Sequence, residues 1–213
     1  MQKNVWTMII TPPLLFGCSD SKQMKTLGEN EYYIGERLAS VSADADSTFW
    51  IGGESGKIWH VDGNKVSAYI TGTDRIYKIA TRPNVSGDTS CWLGGRNSGF
   101  QKWRLHKGKM QHEQTYGILF KDKEYSAYDF AITPNGIFVA TSQGLYLQRN
   151  DNSFSLLYPA LDSPTAKAGM PHIIYNLCPY GQNYLFAASI DGLLRIDLKS
   201  GKISRLHKGE KVQ

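Results

Sequence analysis

Four segments of the chain share one pattern, and that repetition limits the possible folds more than any other feature. They read Phe49-Trp50-Ile51-Gly52-Gly53-Glu54-Ser55-Gly56-Lys57-Ile58, Cys91-Trp92-Leu93-Gly94-Gly95-Arg96-Asn97-Ser98-Gly99-Phe100, Ile137-Phe138-Val139-Ala140-Thr141-Ser142-Gln143-Gly144-Leu145-Tyr146 and Leu185-Phe186-Ala187-Ala188-Ser189-Ile190-Asp191-Gly192-Leu193-Leu194. Their turn glycines, Gly56, Gly99, Gly144 and Gly192, fall 43, 45 and 48 residues apart. A propeller blade occupies roughly 40 to 50 residues.

Each repeat reads as four short strands. An inner strand precedes the shared segment at Ile76 to Ala80, Ala127 to Ala131 and Ile174 to Cys178, with Leu38 to Ser42 as a weaker first counterpart. These runs are apolar or alternating over five residues, the length and content of a strand. Turn signals follow, as at Thr133-Pro134-Asn135-Gly136. Second hairpins stand at Asp62-Gly63-Asn64-Lys65, His106-Lys107-Gly108-Lys109 and Lys199-Ser200-Gly201-Lys202. Outer strands close the units, as at Val66 to Ile70 and Ile203 to His207.

One such sheet cannot bury its own faces, so the repeats must stack on one another. The expected fold is an all-β propeller of four four-stranded antiparallel blades, at about 35–70, 74–116, 125–158 and 172–207. The 213 residues, 41% hydrophobic and 12% aromatic, suffice for that core. A closed small ring and a partial arc of a larger propeller both fit the count. Glu31 to Gly35 offers an added edge strand for the first blade, and the polar Ile203 to His207 suits a solvent-facing outer edge.

The aromatic-apolar-Gly-Gly stretch with its hairpin glycine resembles the two-component regulator propeller repeat, over about residues 35 to 207. It is strongest at Phe49 to Ile58 and Cys91 to Phe100; the later repeats carry Phe138 and Phe186 instead of Trp and lose the glycine pair. The fourth repeat equally resembles quinoprotein-type blades, through Asp191 to Asp197 and Lys199 to Lys202. The first resemblance implies the extracytoplasmic sensing part of a bacterial two-component system. It also implies a ring of more than four blades, which favours an open arc. No kinase core, receiver or DNA-binding segment is legible, so the chain reads as the sensing part without a transmitter.

The N-terminus reads as an export signal at 1–17. Lys3 precedes an apolar stretch from Val5 to Phe16 that is too short to span a bilayer. Its end, Leu15-Phe16-Gly17-Cys18, resembles the lipobox of bacterial lipoproteins, with Phe16 bulkier than usual and Pro12-Pro13 interrupting the apolar run. That resemblance implies cleavage before Cys18, lipidation of its thiol, a lipid-anchored linker at 18–34 and a place in the cell envelope, periplasm or outer membrane. Cys91 and Cys178 stand at different repeat positions and read as separate buried small residues rather than a disulfide.

Functional residues of propellers usually gather on the face that carries the inter-blade loops and the hairpins between second and third strands. On this chain that face holds Thr71 to Asp74, Gly117 to Glu124, Pro159 to Pro171 and the hairpins near Glu54, Arg96, Gln143 and Asp191. The ligand-binding candidates are Asp74, Arg75, Arg96, Asn97, Gln143, His172 and Asp191; Pro159 to Pro171 is the longest loop. Tyr77, Tyr128 and Tyr175 recur one per blade and read as packing residues rather than ligand platforms.

Catalytic readings find little support. His60, His106, His112, His172 and His207 show no metal-ligand spacing, and no nucleophile elbow, Walker loop or dinucleotide fingerprint occurs. Asp44 and Asp46 sit where turn geometry accounts for them. No metal or cofactor is expected. The net charge of +5 is scattered, with no focused basic stripe for nucleic acid. The leading expectation is a non-catalytic binding module for a small molecule or glycan, anchored to a membrane through Cys18. The alternatives are an envelope scaffold with a protein partner and a propeller lyase or hydrolase, and fold alone does not separate them.

Overall fold

The computed structural model describes residues 25–28, 31–45, 48–63, 65–83, 88–116, 119–120, 123–124, 126–148, 153–159 and 172–206. The signal segment, Cys18 and most of the Pro159 to Pro171 loop lie outside them. Four antiparallel four-stranded sheets follow one another along the chain, in a four-bladed β-propeller. Blade 1 is β3 (Leu38–Ala45), β4 (Thr48–Gly53), β5 (Lys57–Asp62) and β6 (Lys65–Ile70). Blade 2 is β7 (Ile76–Pro83), β8 (Thr89–Gly95), β9 (Phe100–His106) and β10 (Lys109–Tyr116). Blade 3 is β13 (Ala127–Thr133), β14 (Gly136–Thr141), β15 (Gly144–Gln148) and β16 (Phe154–Tyr158). Blade 4 is β17 (Ile174–Tyr180), β18 (Tyr184–Ser189), β19 (Gly192–Asp197) and β20 (Ile203–Leu206).

Two small hairpins complete the strands, β1 (Lys25–Gly28) with β2 (Glu31–Tyr33) and β11 (Leu119–Phe120) with β12 (Lys123–Glu124). The expected edge strand at Glu31 to Gly35 is therefore corrected: its first three residues pair with β1 and not with blade 1. The inner strand of blade 1 is longer than its sequence signal, running eight residues to Ala45. Its pairing with β4, which sets Val41 opposite Ile51, carries a strand that propensity alone left weak.

Cross-strand partners share a face, so each blade has a forward face toward its successor and a rearward face toward its predecessor. On the forward faces, Trp50, Trp92 and Phe138 stand at one position of the second strand and keep 0, 9 and 3% of their surface. Ile58, Phe100 and Leu145 stand at one position of the third strand and are fully buried. Rearward residues from the inner strand meet them: Ile76 and Ile79 against blade 1, Ala127 and Phe130 against blade 2, Ile174 and Leu177 against blade 3. Between these lies a position that must be small. A Cβ on Gly52 would come within 2.7 Å of Ile76, and one on Gly94 within 2.7 Å of the Ala127 carbonyl. Ala140 holds the same place in blade 3.

Among the described residues, no sheet covers the forward face of blade 4 in this way. Phe186 is half-buried, Ala188 and Cys178 are exposed, and Leu193 retains 40% of its surface. Cys91 is buried as expected, whereas the expectation that Cys178 is buried is corrected by the missing neighbour sheet. Inner strands pack in the order β3, β7, β13, β17, and no comparable packing joins β17 to β3 among the described residues. Val41 on β3 is 67% exposed, although its counterparts Ile79, Phe130 and Leu177 are buried. Among the described residues, the ring of four blades is thus left open at a seam between the last and the first.

Candidate functional site

The second residue of each inner strand faces the propeller axis, and in three blades it is tyrosine. Tyr77 meets Tyr128 edge-on at 5.1 Å between ring centroids, and Tyr128 stacks on Tyr175 at 6.3 Å. Tyr77 and Tyr128 are half-buried and Tyr175 is 52% exposed. These tyrosines pack on one another, and the outermost, Tyr175, is open to solvent. Burial, followed by the neighbouring phenols of Tyr77 and Tyr175, pushes the Tyr128 hydroxyl above its ordinary pKa, so it stays a neutral donor and acceptor.

A charged layer lies beside the ladder. Arg75 places its guanidinium 5.2 Å from the Tyr77 ring centroid and pairs with Glu54 of the preceding hairpin at 3.3 Å. The Arg75 carbonyl accepts the Arg96 backbone N–H at 2.8 Å, which ties the β8–β9 hairpin to the start of β7. Below the ladder, Asp129 joins three blades. Its carboxylate pairs with Lys78 of blade 2 at 3.1 Å and accepts the Phe130 and Leu177 backbone N–H groups at 2.8 Å. Asp129 is buried, so these partners meet the demand that a buried charge be compensated.

A second polar cluster joins blades 3 and 4. His172 is buried and shares a 2.9 Å hydrogen bond between Nδ1 and the Asp191 carboxylate. Tyr158 donates its hydroxyl to the same carboxylate oxygen at 3.1 Å, and Arg205 donates to the Tyr158 oxygen at 3.1 Å. His172 Nε2 is buried without a hydrogen-bond partner. The hydrogen bond from His172 holds the Asp191 carboxyl below the usual carboxylate range, and the bond from Tyr158 assists against the opposing effect of burial.

The sequence candidates divide accordingly. Arg75 and Arg96 fall at the ladder, and His172 and Asp191 meet each other directly. Asn97 sits exposed in a left-handed turn with φ of 53°, its N–H directed to Ser126 Oγ. Gln143 belongs to a hairpin turn in which its N–H bonds Thr141 Oγ1 at 3.0 Å, and Asp74 is exposed in the loop before β7. Tyr158, Arg205, Lys78 and Asp129 were not anticipated. Each lies within an ordinary strand, and only the packing of successive blades brings it to its partners. Among the described residues, no group of three or more His, Cys, Asp and Glu side chains is placed to hold a metal ion.

No family model and no curated protein sequence matches the chain. Solved structures do match its fold. The extracellular domain of the putative one component system BT4673 from B. thetaiotaomicron is 17% identical with a TM-score of 0.58, over 85% of this chain and 23% of that one. The WD40 beta propeller domain of Doa1 is 15% identical with a TM-score of 0.53, over 82% of this chain and 55% of that one. BamB from Moraxella catarrhalis is 14% identical with a TM-score of 0.53, over 81% of this chain and 54% of that one. The chain therefore spans about a quarter of the first and just over half of the other two. At these identities the likeness shows the fold, a β-propeller.

The lowered Asp191 pKa sets a direction for acid stability. A carboxylate whose folded pKa is depressed stabilises the fold fully above its ordinary value, 3.8 for this side chain, and loses that contribution as pH falls through the folded value. Asp191→Asn should flatten the acid limb of thermal stability below about pH 4 while sparing its shape above pH 5. Melting curves across pH check this, and an unchanged acid limb would rule out the cluster as a source of acid sensitivity.

Proposed function

We propose that the chain is an exported, non-catalytic propeller binding module that takes a small molecule or glycan on the axial tyrosine ladder. One observation carries this reading. Three aromatic rings step across adjacent blades, with Tyr175 open to solvent at one end, Tyr128 half-buried between its neighbours, and the Arg75 guanidinium over Tyr77 at the other. Aromatic faces stack on the apolar faces of sugar rings, and the Tyr128 hydroxyl and the Arg75 guanidinium supply hydrogen bonds that select among ligands. The ladder rests on a rigid base, because Asp129 fixes three inner strands beneath it.

The likeness to the extracellular domain of BT4673 supports a place outside the cytoplasm and a sensing role. The segment Leu15-Phe16-Gly17-Cys18 supports a lipid anchor. Fatty-acid labelling of wild type and Cys18→Ser tests the anchor: label on wild type alone supports it, and equal label or none on both removes it.

Binding is tested by calorimetry with neutral and uronic-acid oligosaccharides. At least one set should bind, and Tyr175→Ala should weaken it about tenfold, the equivalent of roughly 1.4 kcal/mol. Tyr175 is half-exposed, so the fold should survive the change. Binding untouched by Tyr175→Ala, or no binding by either set, would overturn the ladder as the glycan site.

A further inference from the structure

We propose that the seam left open by the arc is filled by a second copy of this chain, head to tail. The argument starts from the three junctions already present. Each sets a second-strand aromatic, a small residue and a third-strand apolar residue against two inner-strand residues of the next blade. One forward set and one member of a rearward set, Val41, remain unmatched in the same molecule.

The unmatched forward set is Phe186, Ala188 and Leu193, with Cys178 in the place held by the buried Ala131. Tyr180 extends this apolar surface, meeting Phe186 at 6.0 Å while 65% exposed. Of the rearward pair on β3, Val41 is exposed, as is Ala43 farther along the same face, whereas Leu38, the counterpart of Ile76, already packs with Ile51 and Trp59. Farther from the axis, Ile51, Trp59 and Val61 are already buried with Ile34 and Leu38, so the contact is confined to the inner strand and its immediate neighbours.

A head-to-tail contact must either close or grow without end. Two copies related by a two-fold axis match both at once and make eight blades. Propeller chains of similar fold include longer ones, of which this chain covers 55% and 54%, beside one that it covers whole. Exposed sheet faces of this kind seek a partner.

Size-exclusion chromatography with light scattering on the full chain tests the proposal over a concentration series. The expected mass is twice that of one chain, or twice 23.8 kDa for the unprocessed sequence. Leu193→Glu and Val41→Glu, both at exposed positions, should each weaken association more than tenfold while circular dichroism stays unchanged. An equimolar mixture of the two variants should regain dimer, because it contains one junction with neither charge. A monomer at every concentration would overturn the proposal and point to another protein or further blades as the occupant. Association indifferent to both variants would overturn it and point to a contact elsewhere. Loss in both variants without recovery on mixing would overturn the head-to-tail geometry.

Discussion

The face that a blade turns toward its successor carries a second-strand aromatic, a small residue and a third-strand apolar side chain, and covering them keeps the sheets in line. Full burial of a large apolar side chain is worth about 1.5–3 kcal/mol. Trp50 with Ile58, Trp92 with Phe100 and Phe138 with Leu145 collect that gain in three successive junctions. The small residue sets how closely the sheets approach. At Gly52 and Gly94 even a methyl group would strike the next inner strand, so those junctions are specified by what is absent.

The polar features depend on that alignment. Asp129 bonds a blade on either side only because β7, β13 and β17 run side by side around the axis. The same alignment sets Tyr77, Tyr128 and Tyr175 within aromatic contact, although neighbouring tyrosines are about fifty residues apart in sequence. A rigid aromatic surface at the axis therefore follows from blade packing and needs no long loop to build it. The His172–Asp191 pair depends on the third junction in another way, since Tyr158 at the end of blade 3 completes it.

The fold was legible because a repeat reports itself. The aromatic position and the hairpin glycine recur at blade spacing, and the blades lie where that spacing puts them. The first inner strand was harder to see, since Leu38-Ala39-Ser40-Val41-Ser42 owes its strand to its pairing partner rather than to its own composition. Cys178 was misread for the opposite reason: its sequence surroundings match buried positions, but the sheet that would bury it is missing. His172 and Asp191 were singled out because both fall on the loop-bearing face, where they bond each other. Tyr158, Arg205 and Asp129 were not, because a polar residue within a strand carries no local mark of the partner it meets across a junction.

Truncation of the repeated aromatic tests the account most directly, since Phe138 and Phe186 are the same residue at the same strand position and differ in whether a blade follows. Denaturant unfolding of Phe138→Ala and Phe186→Ala, in solution dilute enough to keep chains apart, compares them. The account predicts a loss of about 3–5 kcal/mol for Phe138→Ala, as for a large aromatic removed from a core, and about 1 kcal/mol or less for Phe186→Ala, as for a surface change. Equal losses at the two positions would contradict it, because blade 4 would then be covered as fully as blade 3.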